Sequence, residues 1–238
     1  MTTNQTRLVC FAPAGGSSAL FKSWVAGLPA EFTVEPVDLP GRGTRRREPH
    51  ATSLVDLAAD LASTVSSPGR YALFGHSLGG LLAFEIGKRI VADGLPRPEF
   101  VVLAGSRPPH RSSARLFAPL LDLDDDALID ALAEMGAVNP ILRTSPLRAL
   151  FMPALRSDLA LIVGYHPDAT PLALDLMAWH ADSDPLATPD LGLEWSRYTT
   201  GSFTHTALRG DHYFPFDRLP VVTELLRAAR GRPMSEAA

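Results

Sequence analysis

The chain has a single cysteine, Cys10, in 238 residues, so no disulfide can form within it, and a reducing compartment such as the cytoplasm is the simplest setting. Cys10 itself reads as a small buried hydrophobe in a strand. Long apolar stretches are missing too: no run approaches the roughly 18 residues that a membrane helix needs. The first residues, Met1 to Thr6, are polar and lack the basic-then-apolar layout of a signal peptide. Positive charge is not in excess, and a net charge of −4 argues against nucleic acid as a general partner. There is no H-E-x-x-H, P-loop or dinucleotide fingerprint. The run Asp122, Asp124, Asp125 and Asp126 reads as an acidic helix start, not a metal site, so neither metal nor cofactor is expected. What is present is an ordinary globular balance, 46% hydrophobic and 20% charged. A chain of this length can bury roughly 70–75% of its unfolded surface.

Short apolar runs alternate with helical periodicities along the sequence. Strands are expected at Arg7–Ala12, Thr33–Val37, Tyr71–Phe74, Phe100–Ala104, Leu174–Trp179 and Phe203–Leu208. Helices are expected at Ser18–Leu28, Leu54–Val65 with Ser53 or Thr52 as cap, Leu78–Val91 with Gly94 as its stop, and Val221–Arg230. This alternation predicts an α/β fold, a mostly parallel central sheet with helices on both faces. One stretch breaks it. From about 107 to 171 there are only helical pieces, Asp125–Met135 and Leu147–Leu155, and the stretch is expected to be a helical lid inserted in a single domain spanning 1–238. Pro233 to Ala238 is expected to be a frayed tail.

Gly75-His76-Ser77-Leu78-Gly79 is a G-x-S-x-G sequence between an expected strand and an expected helix. Two glycines permit a turn too sharp for side chains, presenting the Ser77 hydroxyl on a strained corner at a helix N-terminus. This context marks Ser77 as nucleophile in an α/β-hydrolase fold. A serine needs a base. In this fold the chain order is serine, acid, histidine, and of seven histidines His212 alone follows a late strand. His76 reads as packing under the turn, His205 as a half-exposed strand residue, His180 as too early and His166 as part of the lid. The acid should follow Leu174–Trp179, where Asp184 is the choice and Asp182 the alternative. The backbone N–H groups of Leu78 and Ala14 are expected to form the oxyanion hole, Pro13 having none to offer.

These residues together resemble the stand-alone, type II thioesterases that accompany polyketide synthases and nonribosomal peptide synthetases. The likeness runs from about Leu8 to Arg227. It is carried by the opening element Cys10-Phe11-Ala12-Pro13-Ala14-Gly15-Gly16-Ser17, the turn Leu39-Pro40-Gly41-Arg42, and the segment Tyr71 to Gly79. Met152-Pro153-Ala154-Leu155-Arg156-Ser157-Asp158, Asp184-Pro185 and Gly210-Asp211-His212-Tyr213-Phe214 complete it. Proline stands at the fourth position of the opening element, not the family's third, and the usual glycine before the acid loop is replaced around Ala181. The resemblance implies hydrolysis of acyl thioesters on the phosphopantetheine arm of acyl or peptidyl carrier domains of a synthase, clearing aberrant or stalled groups. The phosphopantetheine would arrive with the substrate.

Phe117 and Met152, with Leu116, Leu120, Leu121 and Met135, are candidate acyl-pocket residues of the lid. Arg42, Arg45, Arg46 and Arg47 are either a solvated loop or a basic rim that meets the acidic carrier, which makes Arg42 a candidate substrate contact. A monomer is the default expectation. The alternatives are a carboxylesterase or lipase-like hydrolase of free small esters, an acyltransferase, and a non-catalytic carrier-binding module.

Overall fold

The computed structural model describes residues 5–231 apart from 112 and 169, so the expected tail at 233–238 lies outside the described residues. The strands are β1 (Thr6–Phe11), β2 (Phe32–Val37), β3 (Tyr71–His76), β4 (Val101–Ala104), β5 (Leu176–Ala181) and β6 (Phe203–Leu208). They form one sheet in the order β2-β1-β3-β4-β5-β6, and every neighbouring pair is parallel. A parallel sheet covered on both faces needs strands apolar on both sides, and β3, β4 and β5 are buried throughout. Pro36, which has no N–H for a ladder, is accommodated because β2 is an edge strand.

The two-residue period of β1 divides the core. Val9 and Phe11 face one layer while Leu8 and Cys10 face the other. Helices α1 (Lys22–Gly27) and α2 (Leu54–Val65) lie on opposite faces: Trp24 of α1 packs in the layer with Leu8 and Cys10, and Leu57, Leu61 and Val65 of α2 in the other. Ser53 caps α2, accepting from the Asp56 N–H at 3.2 Å. The long helix α3 (Leu78–Ala92) follows β3 directly and is buried over most of its length. Gly94 ends it with a positive φ of 64°.

Between β4 and β5 lie α4 (Ala114–Phe117), α5 (Asp125–Glu134) and α6 (Arg148–Val163), with no strand among the described residues of 107–171. Asp124 caps α5 by accepting from the Ala127 N–H at 2.9 Å, so the acidic run is a helix start. Helix α6 continues eight residues past the expected Leu155, even though Pro153 lies within it. As the sixth residue of the helix, Pro153 gives up the bond that an N–H would make to the Ala149 carbonyl, and the buried register Leu155, Leu159 and Ile162 keeps one face apolar beyond it. After β5 come α7 (Pro189–Leu193), α8 (Phe214–Asp217) and α9 (Leu219–Arg230), the last packing Val222 and Leu226 beside Trp24.

The strand order reverses between β1 and β3. Ligands of open parallel sheets sit beyond the carboxyl ends of the strands at such a switch, and here the loops after β1, β3, β5 and β6 meet.

Candidate functional site

Ser77 follows β3 and precedes α3, with φ 55° and ψ −116°. It is the only non-glycine residue with positive φ among the described residues. An L-residue in that region carries strain of order 1–3 kcal/mol and persists only where its surroundings hold it. The surroundings are glycines. A Cβ on Gly75 would lie 1.9 Å from the Gly79 carbonyl oxygen, and one on Gly79 would lie 2.2 Å from the Phe11 oxygen. Any side chain at either position would push the turn apart.

His212 lies in the loop after β6, and its Nδ1–H donates to Asp184 Oδ2 at 2.8 Å. The other oxygen, Oδ1, accepts from the backbone N–H groups of Leu186 at 2.8 Å and Ala187 at 3.1 Å. Both residues are buried. Asp182 is exposed instead; it accepts from the Gly210 N–H and the Ser183 hydroxyl, each at 3.1 Å. Those bonds, the backbone one first, hold its carboxyl below the usual range. The choice between the two acids is therefore geometric: Asp184 reaches His212, whereas Asp182 braces the turn between the loops after β5 and β6.

His76 is the last residue of β3 and fully buried, and its Nε2–H donates to the His212 carbonyl oxygen at 2.7 Å. Burial first, then the neighbouring His212, pushes its pKa well down, so the ring is neutral. The packing role expected of His76 thus understates it, because it fixes the backbone of the histidine loop. His180, expected at the end of a strand, is inside β5 and donates to the Ser106 carbonyl at 3.0 Å. His205 sits half-buried in β6.

The loop after β1 approaches Ser77 from the side. Ala14 lines a cavity with Ser77 and His212, and Leu78 lines a second one. Leu78 is the first residue of α3, where an N–H has no partner within its helix. The two cavities, of about 30 and 20 Å³, share Ser77, Phe117, Ile162, Leu186 and His212 as walls. Their ceiling comes from α4, α5 and α6 through Phe117, Leu132, Leu155, Leu159 and Ile162. Of the six apolar lid residues expected in an acyl pocket, Phe117 lines both cavities. Met152, Leu116, Leu120, Leu121 and Met135 line neither, and Met152 is on the buried face of α6, in the core.

Arg42 is corrected more strongly. It is not on a rim, being only 7% exposed, and its guanidinium is paired in fork geometry with Asp158 of α6, Nη2 donating to Oδ1 at 2.6 Å. Asp158 is fully buried and also accepts from the Gly15 N–H at 2.7 Å. This carboxylate ties the turn after β2, the lid and the loop after β1 together. Sequence reasoning noticed Asp158 only as a letter in a motif; an acid among Leu, Ala and Ile in a helix was the available signal that it is paired.

A strained hydroxyl at a helix N-terminus, beside an imidazole oriented by a buried carboxylate, is equipment for nucleophilic acyl transfer. The family described as "Thioesterase domain" matches residues 6–229. The chain belongs to the thioesterase family. Among its relatives, the thioesterase PikA5 of Streptomyces venezuelae is 33% identical over 236 residues, 95% of this chain and 83% of that protein. RedJ, the thioesterase from the prodiginine biosynthetic pathway in Streptomyces coelicolor, is 36% identical with a TM-score of 0.81, covering 94% of this chain and 84% of that one. BorB, the type II thioesterase from the borrelidin biosynthetic cluster, is 27% identical with a TM-score of 0.81, covering 95% and 93%. This thioesterase therefore shares its fold with the prodiginine-pathway and borrelidin-cluster thioesterases along nearly its whole length.

Proposed function

We propose that this thioesterase hydrolyses acyl groups from the phosphopantetheine arm of carrier domains in a polyketide or nonribosomal peptide pathway, using Ser77, His212 and Asp184. The observation that carries the reading is the 2.8 Å bond from His212 Nδ1 to Asp184 Oδ2, with His212 lining the same cavity as a serine at φ 55°. With Nδ1 engaged by the acid, Nε2 is the nitrogen left for the serine proton.

The Ser77 oxygen attacks the thioester carbonyl while its proton passes to His212 Nε2. The backbone N–H groups of Ala14 and Leu78 hold the oxyanion, each such donor being worth about 3–4 kcal/mol in the transition state. The C–S bond breaks, and the pantetheine thiol leaves with the proton from the imidazolium. Water then gives a proton to the same imidazole and attacks the acyl-serine, releasing the acid and restoring the hydroxyl. The substrate brings its own phosphopantetheine, and the chain supplies no cofactor. Removal of aberrant or stalled acyl groups is the task that this reading assigns, acting as a monomer. The solvent-facing Arg46 and Arg47 are the part of the basic run left to meet an acidic carrier.

The test compares release of a short acyl group from a phosphopantetheinylated carrier with hydrolysis of the same acyl p-nitrophenyl ester. Fast carrier turnover, lost in Ser77→Ala and with the free ester much poorer, is the expected result. Fast ester hydrolysis with an untouched carrier thioester would overturn the carrier reading.

A further inference from the structure

Ala137 and Val138, which follow the end of α5, line the cavity of about 20 Å³ that Ser77 and His212 share. Val138 also lines a groove of about 630 Å³, with Ile141, Phe151 and Tyr213 among its other walls. It therefore stands between a small cavity at the nucleophile and a much larger space outside. Two bonds close this turn from within the lid. The Gly136 N–H donates to the Ala133 carbonyl at 2.9 Å and the Ala137 N–H to the Leu132 carbonyl at 2.8 Å, with Gly136 at φ 70°. Such a helix end fixes the turn to α5 but not to the sheet. Among the described residues, one hydrogen bond ties 136–138 to a residue outside the lid: the Tyr213 hydroxyl donates to the Ala137 carbonyl at 2.7 Å, across 76 positions. The Tyr213 ring is itself held by the histidine loop. It meets the His212 ring edge-on with centroids 5.7 Å apart and the His76 ring at 5.7 Å, and its N–H donates to Asp211 Oδ1 at 2.8 Å. Pro185, next after Asp184, comes within 3.6 Å of where a Cβ on Gly136 would stand. The lid turn thus rests on the residues that directly follow the acid and the base. Burial, and then the charge of Asp211, pushes the Tyr213 phenol up to about 12, so it keeps its donor proton at neutral pH.

We infer that Tyr213 is a specificity-determining residue of this thioesterase: its hydroxyl holds the Ala137–Val138 wall against the Ser77 cavity and so limits the length of acyl group that Ser77 can carry. With the bond made, an acyl group has only the small cavity to fill. With the bond broken, the wall can swing from α5 and the cavity opens into the groove that Val138 already borders. Tyr213 acts through the wall and touches no reacting atom. This inference rests on Ser77 being the acylated residue, because it measures the pocket from that atom.

The test measures kcat/KM for acetyl-pantetheine and octanoyl-pantetheine, which differ only in chain length, on the wild type, Tyr213→Phe and Val138→Ala. The rates of Ser77 labelling by an ethyl and an octyl fluorophosphonate are measured beside them, because labelling needs no thioester turnover. Tyr213→Phe keeps the ring against His212 and His76 and removes only the bond to the lid. Its octanoyl-to-acetyl ratio should rise about two- to tenfold over the wild type, the weight of one neutral hydrogen bond on the population with the wall open. The octyl-to-ethyl labelling ratio should rise with it. Val138→Ala, which lowers the wall itself, should shift both ratios the same way. A parallel fall with both substrates in Tyr213→Phe would make Tyr213 a brace for the histidine loop and overturn the inference. Ratios unchanged in Tyr213→Phe, whatever Val138→Ala does, would overturn it as well, since the wall would then be held by packing alone. Absence of thioester turnover with a shifted labelling ratio would instead strike the hydrolytic reading and leave the assignment of Tyr213 standing.

Discussion

Two aspartates two positions apart have different fates because of what surrounds each. Asp184 is buried, with one oxygen on His212 and the other on two backbone N–H groups. Asp182 faces solvent. Asp184→Asn should leave the fold intact and lower kcat about 10³- to 10⁴-fold, the scale set by losing the acid that orients a triad histidine. Asp182→Asn should change kcat less than about threefold, as for a solvent-facing group. Steady-state kinetics on both variants checks this, and the reverse order would exchange their roles. The sequence placed both in one loop but could not separate them, since the choice depends on where the chain turns after β5. That strand runs to Ala181, two residues beyond the Trp179 expected, and the added length carries Asp184 round to the histidine loop.

At the scale of elements, the apolar strands were legible because a two-sided parallel sheet leaves continuous hydrophobic runs such as Phe100–Ala104. Helices with a full apolar stripe, such as α2, were legible to the residue. The short helices α4, α7 and α8, of four or five residues, are too brief to show a period. What the sequence hid most completely is the Arg42–Asp158 pair, whose members are 116 positions apart. Nothing local distinguishes an arginine bound for the interior from its neighbours Arg46 and Arg47. Removing one partner of a buried pair leaves an uncompensated charge and costs about 3–5 kcal/mol. Arg42→Met or Asp158→Leu should therefore each destabilise the protein by that amount in urea unfolding, and the double variant should recover much of it. Additive losses would show that the pair does not act as a unit. Because Asp158 also receives the Gly15 N–H, its replacement should lower kcat as well, by loosening the loop that carries Ala14.

Across the whole molecule, the parallel sheet gathers four loops at one edge, and its core supplies a dependence on acidity. Burial holds His76 well below the ordinary imidazole range and pulls His180 down to about 4. In the unfolded chain both would titrate near 6.5. Below about pH 6.5 the unfolded chain takes up protons that the native one refuses, so stability is complete above that pH and falls as the pH drops towards 4. His180 alone accounts for about 3 kcal/mol across that window; below it the native ring is protonated too and its contribution stops growing. Urea midpoints at pH 7.5 and 4.5 measure this loss, and an unchanged midpoint would contradict the neutral, buried state of both rings. The fold and the serine and histidine positions could be read from strand–turn–helix order. The cavity walls could not, since they come from α4 to α6, whose placement over the sheet is a matter of tertiary packing.

The most direct measurement is the site and rate of covalent labelling by a fluorophosphonate, read by peptide mass spectrometry, with and without an acyl-carrier thioester. The account predicts rapid modification of Ser77, slowed by Asp184→Asn, absent in Ser77→Ala and protected by the acylated carrier. Modification at another residue, or a Ser77 that reacts no faster than free serine, would contradict it.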